Sequence, residues 1–153
     1  MPRFAALQKV TRSADKVYVS SAPHVLVIED DDDLRRLVST WLGRLGCTVT
    51  ECATGRAGLD SITAPAAERP LDLVLLDVLL PDIDGGQIYR RLRQRGEVPV
   101  LVMSIVDAGF VPLSERDAAL AKPFRRRDFE QAVRRLIDLP ADSPTATQTG
   151  GAA

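Results

Sequence analysis

Five side chains in this sequence could do chemistry together: Glu29, Asp30, Asp77, Ser104 and Lys122. Each stands at the carboxyl end of a short apolar run, in order along the chain. Three carboxylates converging on one edge repel one another and hold their protons more tightly unless a cation neutralises them. Hard carboxylate oxygens suit Mg2+, which keeps several waters and binds through few carboxylates together with a phosphate. A hydroxyl from Ser104 and an ammonium from Lys122 complete a pocket for a dianionic phosphoryl group. With His24 as its only histidine, the chain cannot build a His-rich zinc site, and a His-based triad would have to use that residue. A metal here would be bound by oxygen.

The elements that must position these groups are legible from periodicity and punctuation. HVLVIED (24–30) is an apolar run ending in acids, which suits a buried parallel strand. Leu34, Leu37, Val38, Trp41, Leu42 and Leu45 then recur at helical spacing, with Asp31 to Asp33 as N-cap and first-turn acids. For those three aspartates, capping a helix is the preferred reading. Gly46 ends the helix. CTVTEC (47–52) is a second strand, and Thr54 opens a weaker helix through Ile62. LDLVLLD (71–77) is a third strand, and Gly85 to Arg95 form a helix carrying Ile88, Tyr89 and Leu92 inward. PVLVMS (99–104) is a fourth strand and AALA before Lys122 a short fifth. Phe129, Val133, Leu136 and Ile137 mark a final amphipathic helix. Strand and helix alternate about five times, which argues for an α/β fold, a doubly wound parallel sheet with helices on both faces. In such sheets chemistry gathers at the carboxyl ends of the strands.

Composition narrows the function classes. The chain has 153 residues, 45 % of them hydrophobic, and twenty basic against twenty-one acidic residues give a net charge of −1. That balance argues against a bulk-electrostatic nucleic-acid or membrane-surface binder. Apolar runs such as 73–76 and 98–103 are too short to span a bilayer, and the N-terminus lacks the apolar core of a signal peptide. The expected location is cytoplasmic. Cys47 and Cys52 are not in a CxxC arrangement, and their odd separation points them to opposite faces of a strand, so they read as packing in a reducing compartment. Residues 1–22 hold Arg3, Lys9, Arg12 and Lys16 against Asp15, a net +3, and leave −4 for the remainder. Their apolar residues show a loose helical spacing followed by a short β-like run, read as a partly ordered arm. The segment 140–153, PADSPTATQTGGAA, is expected to be a disordered tail. The domain itself is expected at 23–139.

The stretches VLVIEDDDDLRRL, DLVLLDVLLPDIDG, VPVLVMS and AKPF together resemble the receiver domain of bacterial two-component response regulators, from Pro23 to about Leu139. The third strand with its Leu-Pro and Asp-Gly turn is the most specific of them. The resemblance implies a flavodoxin-like, five-stranded (βα)5 fold. It implies that Asp77 accepts a phosphoryl group from a phosphohistidine on a histidine kinase or a histidine phosphotransfer protein. Asp30 and Asp77, with the main-chain carbonyl of Leu79, would bind Mg2+, and Glu29 would hold a metal water. Ser104 and Lys122 would contact the phosphoryl oxygens, and Lys122–Pro123 would be a cis peptide aiming the lysine. Signalling would run through contact with a downstream protein, from a monomer or weak dimer. The chain would be no turnover enzyme, beyond phosphorylating itself and slowly losing the group. No output domain is expected after Leu139, so no direct nucleic-acid contact is expected either.

Three departures from the family pattern fall on the signalling face. Ile105 stands directly after the switch hydroxyl, where the family usually has a small residue, and should crowd the mouth of the pocket. Ala119 stands where an aromatic switch residue is usual. Only eighteen positions separate Ser104 from Lys122, about a helical turn fewer than the family implies, and VDAGFVPLSERDAA has no apolar helical stripe. The fourth helix is therefore expected to be short or replaced by an irregular loop. Arg125 to Arg127 could dock an acidic partner, although a solvated helix start explains them more simply. A phosphorylation-independent receiver-like scaffold is the near alternative. A haloacid-dehalogenase-like phosphatase with Asp30 and Asp32 as its acid pair would need further acids after Lys122, where only Asp128 is near, and would leave Asp77 unexplained. A flavodoxin-like cofactor binder is rejected because four aspartates after the first strand would repel a flavin phosphate.

Overall fold

Short apolar runs become strands and the stripes between them become helices. The computed structural model describes residues 9–13, 16–64, 70–105 and 113–140. Two N-terminal strands, β1 (Lys9–Ser13) and β2 (Lys16–Ser20), pair antiparallel as a sheet of their own. The loose helical spacing around Val10 thus gives extended chain. Residues 1–8 and 14–15 of the arm, and 141–153 of the expected tail, lie outside the described residues.

The second sheet has five strands, all parallel: β3 (His24–Ile28), β4 (Thr48–Cys52), β5 (Leu73–Asp77), β6 (Val100–Ser104) and β7 (Ala118–Ala121), in the order β4-β3-β5-β6-β7. Among the described residues four helices connect or follow them: α1 (Asp32–Arg44), α2 (Gly55–Thr63), α3 (Gly85–Arg95) and α4 (Arg126–Leu136). The strand order reverses between β3 and β5, so the crevice beyond their carboxyl ends is the switch point where ligands bind in such sheets.

Both faces of the sheet are buried, and period-two alternation divides the core. Leu26, Ile28, Val74, Leu76, Val100 and Val102 face one way, against Ile88, Tyr89 and Leu92 of α3. Val25, Val27, Leu73, Leu75, Leu101 and Met103 face the other, against Val38 and Leu42 of α1 and Phe129 and Val133 of α4. The two cysteines follow this division: Cys52 belongs to the first cluster and Cys47 packs on the second, both as free thiols. Trp41, Phe124 and Phe129 stack and tilt against one another at centroid separations of 5.4 to 6.4 Å, joining α1 to α4. Leu37 departs from the expected stripe. It is 45 % exposed, on the rim of the helix face rather than beneath it.

Among the described residues no helix lies between β6 and β7, as the missing apolar stripe predicts; 106–112 lie outside that set. A buried carboxylate anchors the end of the segment instead. Asp117 accepts from Val100 N at 2.9 Å, from the Tyr89 hydroxyl at 2.5 Å and from the Ser114 hydroxyl at 3.0 Å, with Arg93 3.4 Å away. Burial, and then the bond to Asp117, push the Tyr89 phenol above its ordinary pKa.

Candidate functional site

Register puts the chemistry-bearing residues on one edge. Ile28 is level with Leu76, Asp77 with Met103, and Ser104 with Ala121, so Glu29, Asp77, Ser104 and Lys122 emerge from neighbouring strands at nearly the same height. Glu29 N bonds to Cys52 O at 3.1 Å, and Lys122 N to Ser104 O at 2.7 Å, extending the ladders one residue past the strands. Glu29 is 1 % exposed, Asp77 4 % and Ser104 4 %, whereas Asp30 is open to solvent.

Carboxylate oxygens of Glu29, Asp30 and Asp77 come within 4.8 Å of one another. The Lys122 ammonium stands between two of these acids, 2.8 Å from Glu29 Oε2 and 3.2 Å from Asp77 Oδ2. Burial pushes the Glu29 pKa up, against the bonds from Lys122 and Asp31 N that hold it down. Burial works against the lysine charge as well, but Glu29 and Asp77 outweigh it, and the Lys122 pKa lies above its ordinary value. One ammonium cannot neutralise three carboxylates. All the ligating atoms are hard oxygens, so the cluster fits Mg2+.

The backbone holds the acids in place. Asp77 Oδ1 accepts from Leu79 N at 3.0 Å, and Glu29 Oε1 from Asp31 N at 3.1 Å. Asp31 caps α1 by accepting from Leu34 N at 2.9 Å. Asp32 pairs with Arg35 at 2.5 Å, so it serves the helix start and not a metal, which removes the second acid of a phosphatase-type pair. Lys122–Pro123 is cis, as the resemblance implies. Leu79 lies two residues past Asp77 and its side chain is 56 % exposed.

Two positioning residues escaped the sequence reading, and a third, Gly85, was read only as part of a turn. Arg35 donates to the Glu29 carbonyl at 2.9 Å, fixing the turn that carries the acid pair; its offset of three from Asp32 was the available signal. Asp82 accepts from Gly55 N at 2.9 Å and Arg56 N at 2.8 Å, so the loop after Asp77 caps α2. Gly85 explains the Asp-Gly turn: a Cβ there would lie 2.7 Å from Val78 Cα and 3.0 Å from the Asp77 carbonyl. Only a residue without a side chain lets α3 start that close to the acid.

With this geometry in hand, the likeness to known proteins has a physical basis. A family model described as the response regulator receiver domain matches residues 25–134. The chain belongs to this family, the receiver domains of two-component response regulators, and its acid cluster lies at the family's phosphorylation site. The transcriptional regulatory protein AfsQ1 of Streptomyces coelicolor is 33 % identical over 119 residues, 75 % of this chain and 51 % of that one. The transcriptional activator PfeR of Pseudomonas aeruginosa is 33 % identical over 76 % of this chain and 38 % of its own. The chain therefore spans about half the length or less of these relatives. Among solved structures, a response regulator receiver protein from Sinorhizobium medicae superposes with a TM-score of 0.66 at 25 % identity, covering 75 % of this chain and 94 % of that one. The receiver domain of a sensor histidine kinase from Pseudomonas aeruginosa, solved with a magnesium ion in its active site cleft, gives 0.64 at 24 % identity, covering 76 % and 98 %. No helix among the described residues is long and apolar enough to cross a membrane.

Proposed function

We propose that the chain is a phosphoacceptor, taking a phosphoryl group from a phosphohistidine onto Asp77 and signalling by protein contact. The observation that carries this reading is Asp77 itself, buried at the switch point, with two further carboxylates in reach and an ammonium 3.2 Å away. An Asp77 carboxylate oxygen attacks phosphorus in line, the phosphorus–nitrogen bond breaks, and the histidine nitrogen leaves with the bonding pair. Asp30 and Asp77 with the Leu79 carbonyl would hold Mg2+, Glu29 would hold a metal water, and the ion would supply the charge screening that lets two anions meet. Lys122 exchanges a carboxylate partner for a phosphoryl oxygen, and the Ser104 hydroxyl donates to another. The acyl phosphate stays on the protein until water slowly removes it, so the chain does not turn over as an enzyme. The donor is a histidine kinase or histidine phosphotransfer protein, the setting cytoplasmic, and the state a monomer or weak dimer.

A phosphorylation-independent scaffold is the second reading. It is favoured by the exposed Ala119, which offers no ring to swing inward.

The test is intact-protein mass after incubation with Mg2+ and either phosphoramidate or a panel of phosphorylated histidine kinases. One phosphoryl adduct is expected, absent in Asp77→Ala and absent under a chelator. No adduct from any donor, with Mg2+ still bound, would favour the scaffold.

A further inference from the structure

β7 is the last strand of the five-stranded sheet, and among the described residues it pairs with β6 alone. Lys122 N donates to Ser104 O at 2.7 Å, so Leu120 and Lys122 turn their backbone groups toward β6. Ala119 and Ala121 therefore turn N–H and C=O outward, where no described residue meets them. Both alanines are exposed, and the strand, AALA, has none of the charges or prolines that protect a free edge. Its flanks limit the register that a further strand could take. Asp117 N is engaged with Ser114 O at 3.0 Å, and Pro123 has no N–H, so the outward ladder consists of Ala119 and Ala121.

We propose that this edge binds a second copy of the chain, β7 pairing antiparallel with β7 across a two-fold axis at Leu120. Ala119 of one copy then faces Ala121 of the other, and the reverse, each pair exchanging two N–H···O bonds. The half-buried Leu120 of each copy meets its equivalent beside the axis. A shift of the register in either direction sets an outward alanine against Asp117 or Pro123, whose N–H is engaged or missing. The same symmetry carries Glu115 of each copy toward Arg125 of the other. Both residues are exposed, and neither has an ion pair among the described residues, whereas their neighbours Arg116 and Arg126 pair with Glu97 and Glu130. A second copy is the fitting occupant because the edge complements itself: donors meet acceptors, and Glu115 meets Arg125, in the one register that the backbone allows. The pairing joins two five-stranded sheets into one and leaves the two acid edges open at opposite ends. It needs no phosphoryl group, so it stands or falls apart from the reading of Asp77.

Analytical ultracentrifugation of the full chain, with no phosphodonor present, compares the wild type with Ala119→Pro, Glu115→Arg and the double variant Glu115→Arg with Arg125→Glu. The wild type should show a reversible monomer–dimer equilibrium. Proline at 119 removes an outward N–H that the sheet itself does not use, so the fold should survive while dimerisation weakens about tenfold or more. Glu115→Arg should weaken it about tenfold, since the symmetry doubles each change, and the double variant should recover the wild-type affinity. Amide exchange at Ala119 and Ala121 should slow as protein concentration rises. A wild type that stays monomeric at millimolar concentration would overturn the proposal, as would a dimer equally tight in a folded Ala119→Pro. Should proline disturb the strand, the Glu115 and Arg125 variants, both outside it, decide alone: a double variant no tighter than Glu115→Arg would overturn the pairing.

Discussion

Lys122 is the cation that makes the buried acids tolerable before any metal arrives. Its ammonium lies 2.8 Å from Glu29 and 3.2 Å from Asp77. Removing one partner of a buried pair leaves an uncompensated charge, at a cost of about 3 kcal/mol. Lys122→Met should therefore lower the thermal midpoint in the absence of Mg2+, and added Mg2+ should recover more stability than it gives the wild type. Calorimetry with and without the ion checks this; equal losses in both conditions would contradict it. Cys47 offers a second residue-scale test. Burial, and then the charge of Asp72, push its thiol up to about 11. Thiolate is the reactive form, so at pH 8 only about one molecule in a thousand is primed for alkylation. Iodoacetamide should label Cys47 far more slowly than a free thiol, and faster as the pH approaches 11.

At the scale of elements, the loop from Asp77 to α3 couples the acid to two helices. Gly85→Ala would drive a Cβ into the Val78 backbone, 2.7 Å from its Cα, and backbone cannot swing aside as a side chain can. The variant should lose about 2 kcal/mol, in the range of overpacked sites, and should also bind Mg2+ more weakly, because the shift reaches Asp77. Stability lost with Mg2+ affinity intact would contradict that link. Asp82 gives the loop a pH signature. Bonds from Arg56 N and Gly55 N hold its carboxyl below the usual carboxylate range. A lowered folded-state pKa contributes stability that is present at neutral pH and lost as pH falls through that value. Asp82→Ala should therefore melt earlier than wild type at pH 7, the gap closing in acid below the ordinary carboxylate pKa. These couplings also show where sequence reading stops. Strands β3, β5 and β6 were visible because runs such as LVLL have no polar residue to place at the surface, and the acids at their ends came with them. The caps at Asp31 and Thr54 were visible because capping is local. Arg35, Asp82 and Asp117 were not. The two aspartates act on residues fixed only by folding: Asp82 reaches Gly55, 27 positions away, and Asp117 reaches Tyr89, 28 away. Leu37 misled for the same reason, since helical spacing finds a stripe but not its edge.

For the molecule as a whole, the acid edge is built to receive charge, while the segment that usually answers it is altered. The ring cluster of Trp41, Phe124 and Phe129 ties α1 and α4 to the residues just after Lys122, so a change at the lysine meets the core within two residues. Beyond β6, Asp117 fixes the end of the connecting segment to α3, and Ala119 offers no side chain to reorient. On the proposed reading, loading Asp77 would add charge at the pocket, and the direct question is whether that aspartate is loaded at all. The most direct measurement is the position of the phosphoryl bond. The chain would be loaded from a phosphorylated histidine kinase or phosphotransfer protein in Mg2+, reduced with borodeuteride, digested and sequenced by mass spectrometry. Reduction turns an acyl phosphate into an alcohol, so deuterated homoserine at position 77 is the predicted result. An unlabelled Asp77, with label elsewhere or with loading that survives Asp77→Ala, would contradict the account.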